Sequence, residues 1–320
     1  MCKANDYLAK GRFTAFKNNR RIQEPFVDNS AVQENVHEDI NLIFAPIMSE
    51  EKFIDVNRLI ESKNPRLAKW LPGFVIGYLK RILHQEEINE FIANHKEVYN
   101  ADFCKAVIDY FNITINVQNI ERIPKDGPII IAMNHPLGGM DAMALVSALK
   151  GHREDLKFIV NDLLMNLHNL RELFVGVNKH GKNEVSTRQQ IMELFESDEA
   201  VCIFPAGLVS RKQHGLVRDL DWKKTFVTYS KKYDQPVLPI FIDGELSNFF
   251  YRLANFRKFI GIKVNIEMLY LANELFKQRD KTMNLIVGEP IWPKDVDQNM
   301  SERDLAQYYK SKVYELASKK

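Results

Sequence analysis

Short apolar runs rich in β-branched residues alternate with helical patterns along residues 113–242, and this alternation constrains the fold more than any other feature of the chain. Strands that alternate with helices form βαβ units, whose parallel strands are buried on both faces. The sequence therefore predicts an α/β fold with a mainly parallel central sheet flanked by helices. The predicted strands are 113–117, 129–133, 158–160, 174–177, 201–204 and 237–242, and the predicted helices are 141–150, 185–196 and 223–232.

Two further regions precede this alternation. Residues 1–45 are polar and aperiodic, which predicts an extended arm. Residues 46–112 carry apolar side chains at three- and four-residue spacing and are predicted to form a helical preface. The α/β domain is expected over 113–320, with late strands at 262–269 and 284–289 and a last helix from about Glu302.

The charge balance excludes a globally basic nucleic-acid binder. The chain of 320 residues has 44 Lys and Arg against 42 Asp and Glu, a net charge of +2. Its three widely spaced cysteines, Cys2, Cys104 and Cys202, form neither a disulfide framework nor a metal-binding pattern, so they are predicted to be free thiols in a reducing compartment. No apolar leader or run of about 20 apolar residues is present, so any membrane contact is expected to be peripheral.

Ligands of an open α/β sheet bind beyond the carboxyl ends of its strands, so the loops there are the first candidates for a site. The run 129–133 is followed by NHPLGGMD, which contains His135 and Asp141. A carboxylate near a histidine can hold one imidazole nitrogen while the other acts as a general base. In the alternative interpretation Asp141 only caps a helix, and His135 and the two glycines, Gly138 and Gly139, only form a turn.

Two later loops add polar residues. The loop GVNKHGK brings Lys179 and Lys182, with Arg188 one helical step further, and these cations suit an anionic group or simply a solvated surface. The loop FPAGLVSR must leave the sheet sharply after Phe204 because Pro205 cannot donate to a strand ladder. The remaining residues of this loop that we consider are Ala206, Gly207, Ser210 and Arg211.

These loops, together with PVLPIFIDG at 236–244, occur in an order that resembles the glycerolipid acyltransferase superfamily over about residues 50–295. Within it, the chain is most similar to the bacterial hemolysin-like branch linked to ornithine- and glycine-type aminolipids. The resemblance implies an O-acyltransferase in which His135 removes the proton of an acceptor hydroxyl and Asp141 orients the imidazole. It also implies a fatty acyl donor that is a thioester of acyl carrier protein or coenzyme A, with no metal and no other cofactor.

The chain departs from the family pattern at two places. Five residues separate His135 from Asp141, where the family usually has four, and this spacing bears on the His–Asp contact and on activity. Ala206 stands where members that use glycerophosphate have Glu, and this bears on the acceptor. The resemblance to the aminolipid branch implies a lyso-aminolipid acceptor, which we expect to be held among Asn134, Lys179, Lys182, Arg188, Ser210 and Arg211. The alternatives are a lysophosphatidic-acid acyltransferase and a catalytically inactive lipid-binding member. A pore-forming hemolysin and a nucleotide-binding enzyme are disfavoured because neither a spanning segment nor a phosphate-binding glycine motif is present.

Two stretches combine aromatic and basic residues, as peripheral membrane segments do. The first covers residues 70–81, and the second, which is the better candidate, covers 249–259. The alternative is that both are amphipathic helices facing the core. The chain is predicted to be cytoplasmic and to bind the inner face of the cell membrane. The membrane contacts predicted from the second stretch are Phe249, Phe250, Tyr251, Arg252, Arg257 and Lys258.

Overall fold

The computed structural model describes residues 52–161, 164–177 and 184–319, so the predicted polar arm at 1–45 lies outside the described residues. A seven-stranded sheet forms its centre, in the order β1-β9-β8-β2-β5-β3-β4, beside a two-stranded hairpin β6-β7. The strands are β1 (Thr114–Gln118), β2 (Ile129–Met133), β3 (Leu156–Asn161), β4 (Phe174–Val177), β5 (Ala200–Ile203), β6 (Arg211–Gln213), β7 (Leu216–Arg218), β8 (Val237–Ile242) and β9 (Thr282–Val287).

Helices cover both faces of the sheet. They are α1 (Val56–Lys63), α2 (Pro65–Trp70), α3 (Gly73–Ile82), α4 (Gln85–Asn94), α5 (Asn100–Tyr110), α6 (Gly139–Leu149), α7 (Glu184–Glu196), α8 (Thr225–Tyr233), α9 (Asn248–Phe259), α10 (Leu271–Phe276) and α11 (Glu302–Leu316). Short 3-10 turns cover Ile120–Arg122, Leu164–Asn166, His168–Leu173, Ile266–Tyr270, Pro293–Asp295 and Ala317–Lys319.

The sheet is parallel except where β8 pairs with β9 in antiparallel orientation. Every residue of β2 and β8 is buried. Along β2, Ile129 and Ile131 pack with α5 and α6, whereas Ile130 and Ala132 pack with α7, α8 and α11. Alternate side chains of a strand point to opposite faces, so an uninterrupted apolar run suits a strand covered on both sides. The predicted α/β fold with a mainly parallel sheet is confirmed.

The central position of Pro239 has a local explanation. Val237 on β8 pairs with Ile291, and Ile240 pairs with Val287. Between these two pairs, β8 advances by three residues and the opposite segment, from Val287 to Ile291, advances by four. A one-residue excess of this kind is a β-bulge, which tolerates a residue without a backbone donor. The carbonyl of Pro239 still accepts from the N–H of Gly288 at 2.8 Å.

The predicted strand at 262–269 is wrong. The chain there is irregular up to the 3-10 turn Ile266–Tyr270. The apolar alternation of Ile262 and Val264 resembles a strand, but both side chains are exposed. The carbonyls of Ile262 and Lys263 accept from the buried guanidinium of Arg257 at 3.1 and 3.3 Å, so these acceptors serve a buried charge and not a strand ladder.

The preface from α1 to α5 is helical, as its apolar spacing predicts. Phe103 and Val107 of α5 belong to the same buried cluster as Leu145 of α6 and Ile131 of β2. The sequence boundary at residue 112 therefore separates helices from strands without dividing the hydrophobic core.

Candidate active site

The loop after β2 is tied to the neighbouring strand before it reaches the site. The Asn134 side chain donates from Nδ2 to the carbonyl of Ile242 at 2.8 Å and accepts at Oδ1 from the N–H of Ile242 at 2.7 Å. Both ends of this buried amide are thus used to join β2 to β8. This geometry corrects the prediction that Asn134 binds an anion, and it gives Asn134 the role of aligning the loop.

His135 and Asp141 meet across the start of α6. Nδ1 of His135 lies 2.9 Å from Oδ2 of Asp141, and the same oxygen accepts from the N–H of Leu137 at 3.0 Å. Gly138, with a φ of 74°, precedes the helix and turns the chain so that the carboxylate points back to the imidazole. The Asp141 side chain therefore bonds to the histidine, and the five-residue spacing permits the contact.

The environment of the pair is strongly asymmetric. The Asp141 side chain has no exposed surface and that of His135 is 18% exposed. Burial raises the pKa of the Asp141 carboxyl, while the hydrogen bonds from His135 and the Leu137 N–H oppose that rise. The His135 ring stacks on Phe204, with 4.0 Å between ring centroids. One nitrogen of the imidazole is thus held by a buried carboxylate, and the ring has little freedom to rotate.

A second carboxylate, Asp219, anchors the backbone of the histidine. Its Oδ1 accepts from the N–H of His135 at 3.2 Å and from the hydroxyl of Ser210 at 2.5 Å. Its Oδ2 accepts from the indole N–H of Trp222 at 2.9 Å. Ser210 returns a bond from its N–H to the carbonyl of His135 at 2.8 Å. The sequence interpretation missed Asp219, because an acidic residue just after a short strand carries no motif.

The structure does not bring Ser210 and Arg211 to a ligand surface. Both are buried, and Ser210 uses its hydroxyl on Asp219. The Arg211 guanidinium donates to Glu267 at 3.0 Å and to the carbonyl of Val209 at 2.7 Å. Glu267 also pairs with Arg257 at 2.6 Å. These contacts correct the prediction that Ser210 and Arg211 bind an anion, since their polar groups already serve buried partners.

Of the other predicted cations, only Arg188 is among the described residues. Lys179 and Lys182 lie outside the described residues, so their role stays a prediction. Arg188 is exposed on α7 and does not line either cavity described below.

The loop after β5 forms one wall of the site. Phe204 stacks on the histidine, and the carbonyl of Pro205 accepts from the N–H of Lys223 at 3.0 Å. Ala206 is buried with Trp222 in the core behind this wall. Gly207 closes a turn through its N–H to the carbonyl of Phe204 at 2.9 Å. The family position that carries Glu in glycerophosphate-using members is therefore part of the core in this chain.

Two apolar cavities meet at His135. One, of about 320 Å³, extends between α6 and residues of β3, β4, α7 and α8, and we call it the sheet cavity. The other, of about 390 Å³, extends between α6 and the preface helices, with α10 as a further wall, and we call it the preface cavity. Residues that line both are His135, Gly138, Gly139, Met143, Leu164, Leu167 and Gly207. A histidine held by a carboxylate between two apolar cavities can act as a base on an oxygen carried by an apolar molecule.

Among the described residues that line the two cavities, Lys223 is the one residue that is a lysine or an arginine. The sequence interpretation missed it. Burial lowers the pKa of its ammonium group. A signal was its position, since Lys223 is the first residue of the helix predicted at 223–232, which follows the FPAG loop.

Comparison with known proteins shows the family of this chain. Residues 58–319 match the family model described as acyltransferase. This chain belongs to the acyltransferase family. It is 43% identical over 264 residues to the lyso-glycine lipid O-acyltransferase of Bacteroides thetaiotaomicron, a match that covers 82% of this chain and 97% of that protein.

A second relative is the lyso-glycine lipid O-acyltransferase of Phocaeicola vulgatus, which is 40% identical over 264 residues, or 82% of this chain and 95% of that protein. Among solved structures, the 1-acyl-sn-glycerophosphate acyltransferase PlsC of Thermotoga maritima is 20% identical, with a TM-score of 0.45 over 76% of this chain and 89% of that one. The family predicted from the four loops is confirmed by the family model and by the two relatives.

The described cysteines, Cys104 and Cys202, are buried free thiols. Cys202 is fully buried in β5, and burial raises the pKa of its thiol. Cys104, which lines the sheet cavity, has a thiol pKa raised to about 12, also by burial. Neither thiol forms the thiolate readily at neutral pH, so both are poor nucleophiles.

Helix α9 divides the predicted membrane contacts between its two faces. Phe249, Arg252 and Lys258 are exposed, as a membrane contact requires, and their contact with a membrane stays a prediction. Phe250, Tyr251 and Arg257 are buried, which corrects their assignment, because this face of the helix packs on the core and on Glu267. The exposed apolar residues beside them form what we call the α9 patch, consisting of Phe256, Phe259, Ile260, Ile262 and Val264.

The preface carries a second exposed aromatic group. Trp70 and Phe74 are 87% and 78% exposed, and Tyr78 follows on the same helix face as Phe74. The Tyr78 hydroxyl lies 2.6 Å from that of Tyr270, whose ring packs edge-on against Phe249. The exposed side of α3 and that of α9 are thus joined through Tyr270. None of the helices in the described ranges is long and apolar enough to cross a bilayer.

Proposed function

We propose that this acyltransferase transfers a fatty acyl group from a thioester donor to the hydroxyl of a lysolipid at a membrane surface. The donor is an acyl thioester of acyl carrier protein or coenzyme A, and the acceptor is a lyso-aminolipid of the glycine or ornithine type. The observation that carries the proposal is the imidazole of His135, held by the buried Asp141 where two apolar cavities meet.

His135 acts as the general base in the proposed reaction. Its Nδ1–H donates to Asp141, which leaves the lone pair of Nε2 for the acceptor hydroxyl. As Nε2 takes that proton, the hydroxyl oxygen attacks the thioester carbonyl and forms a tetrahedral intermediate. The C–S bond then breaks, and the leaving thiolate takes the proton back from the imidazolium. The products are an ester and a free thiol, with no covalent enzyme intermediate.

The tetrahedral intermediate carries a negative oxygen that backbone N–H groups can stabilise. The N–H of Gly207 is used within its own turn, as a donor to Phe204 at 2.9 Å. Gly138 and Gly139 line both cavities beside His135, and Gly139 begins α6. We therefore assign the stabilising donors to the backbone of these two glycines.

The identity of the acceptor is supported by the names of the relatives, both lyso-glycine lipid O-acyltransferases over nearly their full length. A lipid with an N-acylated glycine head carries a carboxylate and no phosphate. Lys223, on the wall of the sheet cavity, is a single cation of suitable charge for it. The buried Ala206 removes the acidic side chain that glycerophosphate-using members have at this position.

Membrane association is proposed to occur through the α9 patch and the aromatic residues of α2 and α3. Aromatic rings lie favourably at the headgroup level of a bilayer, and nearby cations are attracted to anionic lipid. The exposed cations next to the α9 patch are Arg252, Lys258 and Lys263. A surface of this kind would bring the site to lipids without a spanning segment.

The test is acyl transfer by the purified full-length chain. Radiolabelled acyl carrier protein and acyl-coenzyme A are each offered with lyso-glycine lipid, lyso-ornithine lipid and lysophosphatidic acid. We expect product from a lyso-aminolipid and its loss in His135→Ala. Transfer to lysophosphatidic acid alone would contradict the proposed acceptor, and binding of donor without turnover would favour an inactive lipid-binding protein.

A further inference from the structure

Two separate apolar cavities converge on one reactive nitrogen in this protein. Cavity walls that belong to the sheet cavity alone include Ala142, Phe174 and Ile191. Walls that belong to the preface cavity alone include Phe53, Ala272 and Leu275. The cavities are of similar size, about 320 and 390 Å³, and they share a rim that contains His135. Such an arrangement offers two apolar sites that two alkyl chains can fill at the same time.

Acyl transfer from a fatty acyl thioester to a lysolipid brings two alkyl chains to one oxygen. The donor contributes its acyl chain on one side of the reacting carbonyl, and the acceptor contributes its own chain beside the reacting hydroxyl. The polar parts, which are the thiol carrier and the acceptor head, are costly to bury without partners. Both alkyl chains, in contrast, gain free energy by leaving water for an apolar cavity.

We propose that the sheet cavity binds the acyl chain of the donor and that the preface cavity binds the chain already present on the lysolipid acceptor, an inference that rests on the proposed function. The two cavities would then select donor and acceptor chain length independently. His135 lies at the junction, where the thioester carbonyl and the acceptor hydroxyl come together. The acceptor head extends from this junction toward Lys223 on the wall of the sheet cavity, so only the alkyl chain of the acceptor enters the preface cavity.

The assignment follows from what lies outside each cavity. Leu271 and Leu275 of α10 line the preface cavity, and Tyr270, immediately before α10, contacts the exposed residues Tyr78 and Phe249. The walls of the preface cavity are therefore continuous with the exposed aromatic surface of α3 and α9. A lysolipid leaving a bilayer at that surface reaches the preface cavity first.

The walls of the sheet cavity come largely from other elements than those of the preface cavity. They come from β3, β4, α7 and α8, which contribute Phe158, Phe174, Ile191 and Phe226. None of these four lining residues belongs to the exposed aromatic surface. A chain delivered by a protein or nucleotide carrier does not have to arrive through the lipid surface, so the sheet cavity suits the donor.

Two alanines make a matched pair for the test. Ala142 on α6 lines only the sheet cavity and Ala272 on α10 lines only the preface cavity, and both are partly buried. Ala142→Phe and Ala272→Phe each place a ring in one cavity. We expect Ala142→Phe to shift kcat/KM toward shorter donor chains, and Ala272→Phe toward shorter acceptor chains. Each shift should be at least about tenfold in the short-to-long ratio, because a misfit of one methylene in an apolar pocket changes kcat/KM by about 10- to 200-fold.

The effect of each variant on the other substrate decides whether the two chain sites are independent. The acceptor preference of Ala142→Phe and the donor preference of Ala272→Phe should match the wild type. The reverse pattern overturns the assignment, and a shift of both preferences by either variant, or of neither, overturns the existence of two independent chain sites.

A second pair guards against misfolding of the filled variants. Phe174→Leu enlarges the sheet cavity, and Phe53→Leu enlarges the preface cavity. They should move the donor and the acceptor preference, respectively, toward longer chains, and the opposite assignment of these shifts contradicts the proposal.

A binding measurement separates this inference from the proposed function. N-palmitoylglycine has an apolar chain and a glycine head but no acceptor hydroxyl. In calorimetric titration its Kd should rise at least about tenfold in Ala272→Phe and stay unchanged in Ala142→Phe. Equal effects of the two variants would overturn the inference, whereas a wild type that binds as expected but transfers no acyl group would overturn only the proposed function.

Discussion

Nδ1 of His135 lies 2.9 Å from Oδ2 of Asp141, although five residues separate them in the sequence. The positive φ of Gly138 and the start of α6 at Gly139 bring the carboxylate back to the imidazole. The Leu137 N–H bonds to the same oxygen at 3.0 Å. The pair is therefore held by the backbone of the loop as well as by its own hydrogen bond.

Asp141→Asn tests the orienting role of this carboxylate. The amide keeps the shape of the side chain but cannot stabilise an imidazolium, and it favours the wrong tautomer of His135. We expect kcat to fall by about 10⁴-fold, as in a Ser-His-Asp triad that loses its carboxylate charge. Steady-state kinetics with saturating donor and acceptor measure the loss, and a fall of kcat/KM that arises only from KM would contradict this role.

The same variant has a predictable pH dependence of stability. Burial raises the pKa of Asp141 in the folded chain above its ordinary value of about 3.9. The native state thus binds the proton more tightly than the unfolded chain, so this residue lowers the free energy of unfolding as pH rises through and above that value. Asp141→Asn lacks this ionisation and should gain stability relative to the wild type as pH rises. Urea unfolding across the pH range measures the difference, and a relative loss at higher pH would contradict it.

Ser210→Ala and Asp219→Ala separate a buried hydrogen bond from the anchor of the histidine. Ser210→Ala removes one bond to Asp219, which costs about 1 kcal/mol of unfolding free energy, and kcat/KM should stay close to wild type. Asp219→Ala also releases the N–H of His135, and a misplacement of about 1 Å at a reacting group can cost about 10²-fold in rate. We expect kcat to fall at least about tenfold in Asp219→Ala. An inactive Ser210→Ala would restore Ser210 as a candidate for the chemistry.

Glu267→Gln tests how much the buried ion pairs of Glu267 with two arginines stabilise the fold. Glu267 has no exposed surface and pairs with Arg211 and Arg257. Removing one partner of a buried ion pair typically costs about 3–5 kcal/mol, and we expect a loss of that size in unfolding free energy. Glu289→Gln is the matched control, because Glu289 pairs with Arg122 at 2.7 Å at the surface and should change stability by less than about 1 kcal/mol. Equal losses in the two variants would contradict the structural role of Glu267.

Lys223→Met tests the proposed contact with the acceptor carboxylate. A hydrogen bond to a charged group is worth about 1.5–3 kcal/mol, so the acceptor KM should rise at least about tenfold while the donor KM stays unchanged. Lys224→Met is the matched control, since the neighbouring Lys224 pairs with Glu302 at 3.3 Å and does not line either cavity. A rise in the donor KM alone would place the charge on the donor side of the reaction.

The double change Phe256→Ser and Phe259→Ser tests the α9 patch as a lipid contact. Full burial of one such ring is worth about 1.5–3 kcal/mol, so partition onto vesicles that contain anionic lipid should fall at least about tenfold. Trp292→Ser provides the control, because Trp292 is an exposed aromatic residue that follows β9 and lies outside the patch. Vesicle sedimentation measures the partition, and equal effects of the two changes would contradict a specific role for α9.

The central sheet and the position of the loop that carries His135 follow from the residue pattern alone. The uninterrupted apolar runs of β2 and β8 require burial on both faces, which a parallel sheet covered by helices provides. His135 follows the end of such a strand, where ligands of α/β sheets bind. These features are local, because they depend on the order of apolar and polar residues along a few consecutive positions.

Which polar residues contact His135, and which pair elsewhere, depends on the tertiary structure. Asp219 reaches the N–H of His135 from 84 residues away, and Arg211 turns to Glu267, 56 residues away. Helix α9 interleaves aromatic and basic residues all around its axis, so the sequence could not tell the exposed Phe259 from the buried Phe250. A charged or aromatic side chain has many possible partners in a chain of this length. Which partner it meets depends on the packing of distant segments, which no local pattern of residues encodes.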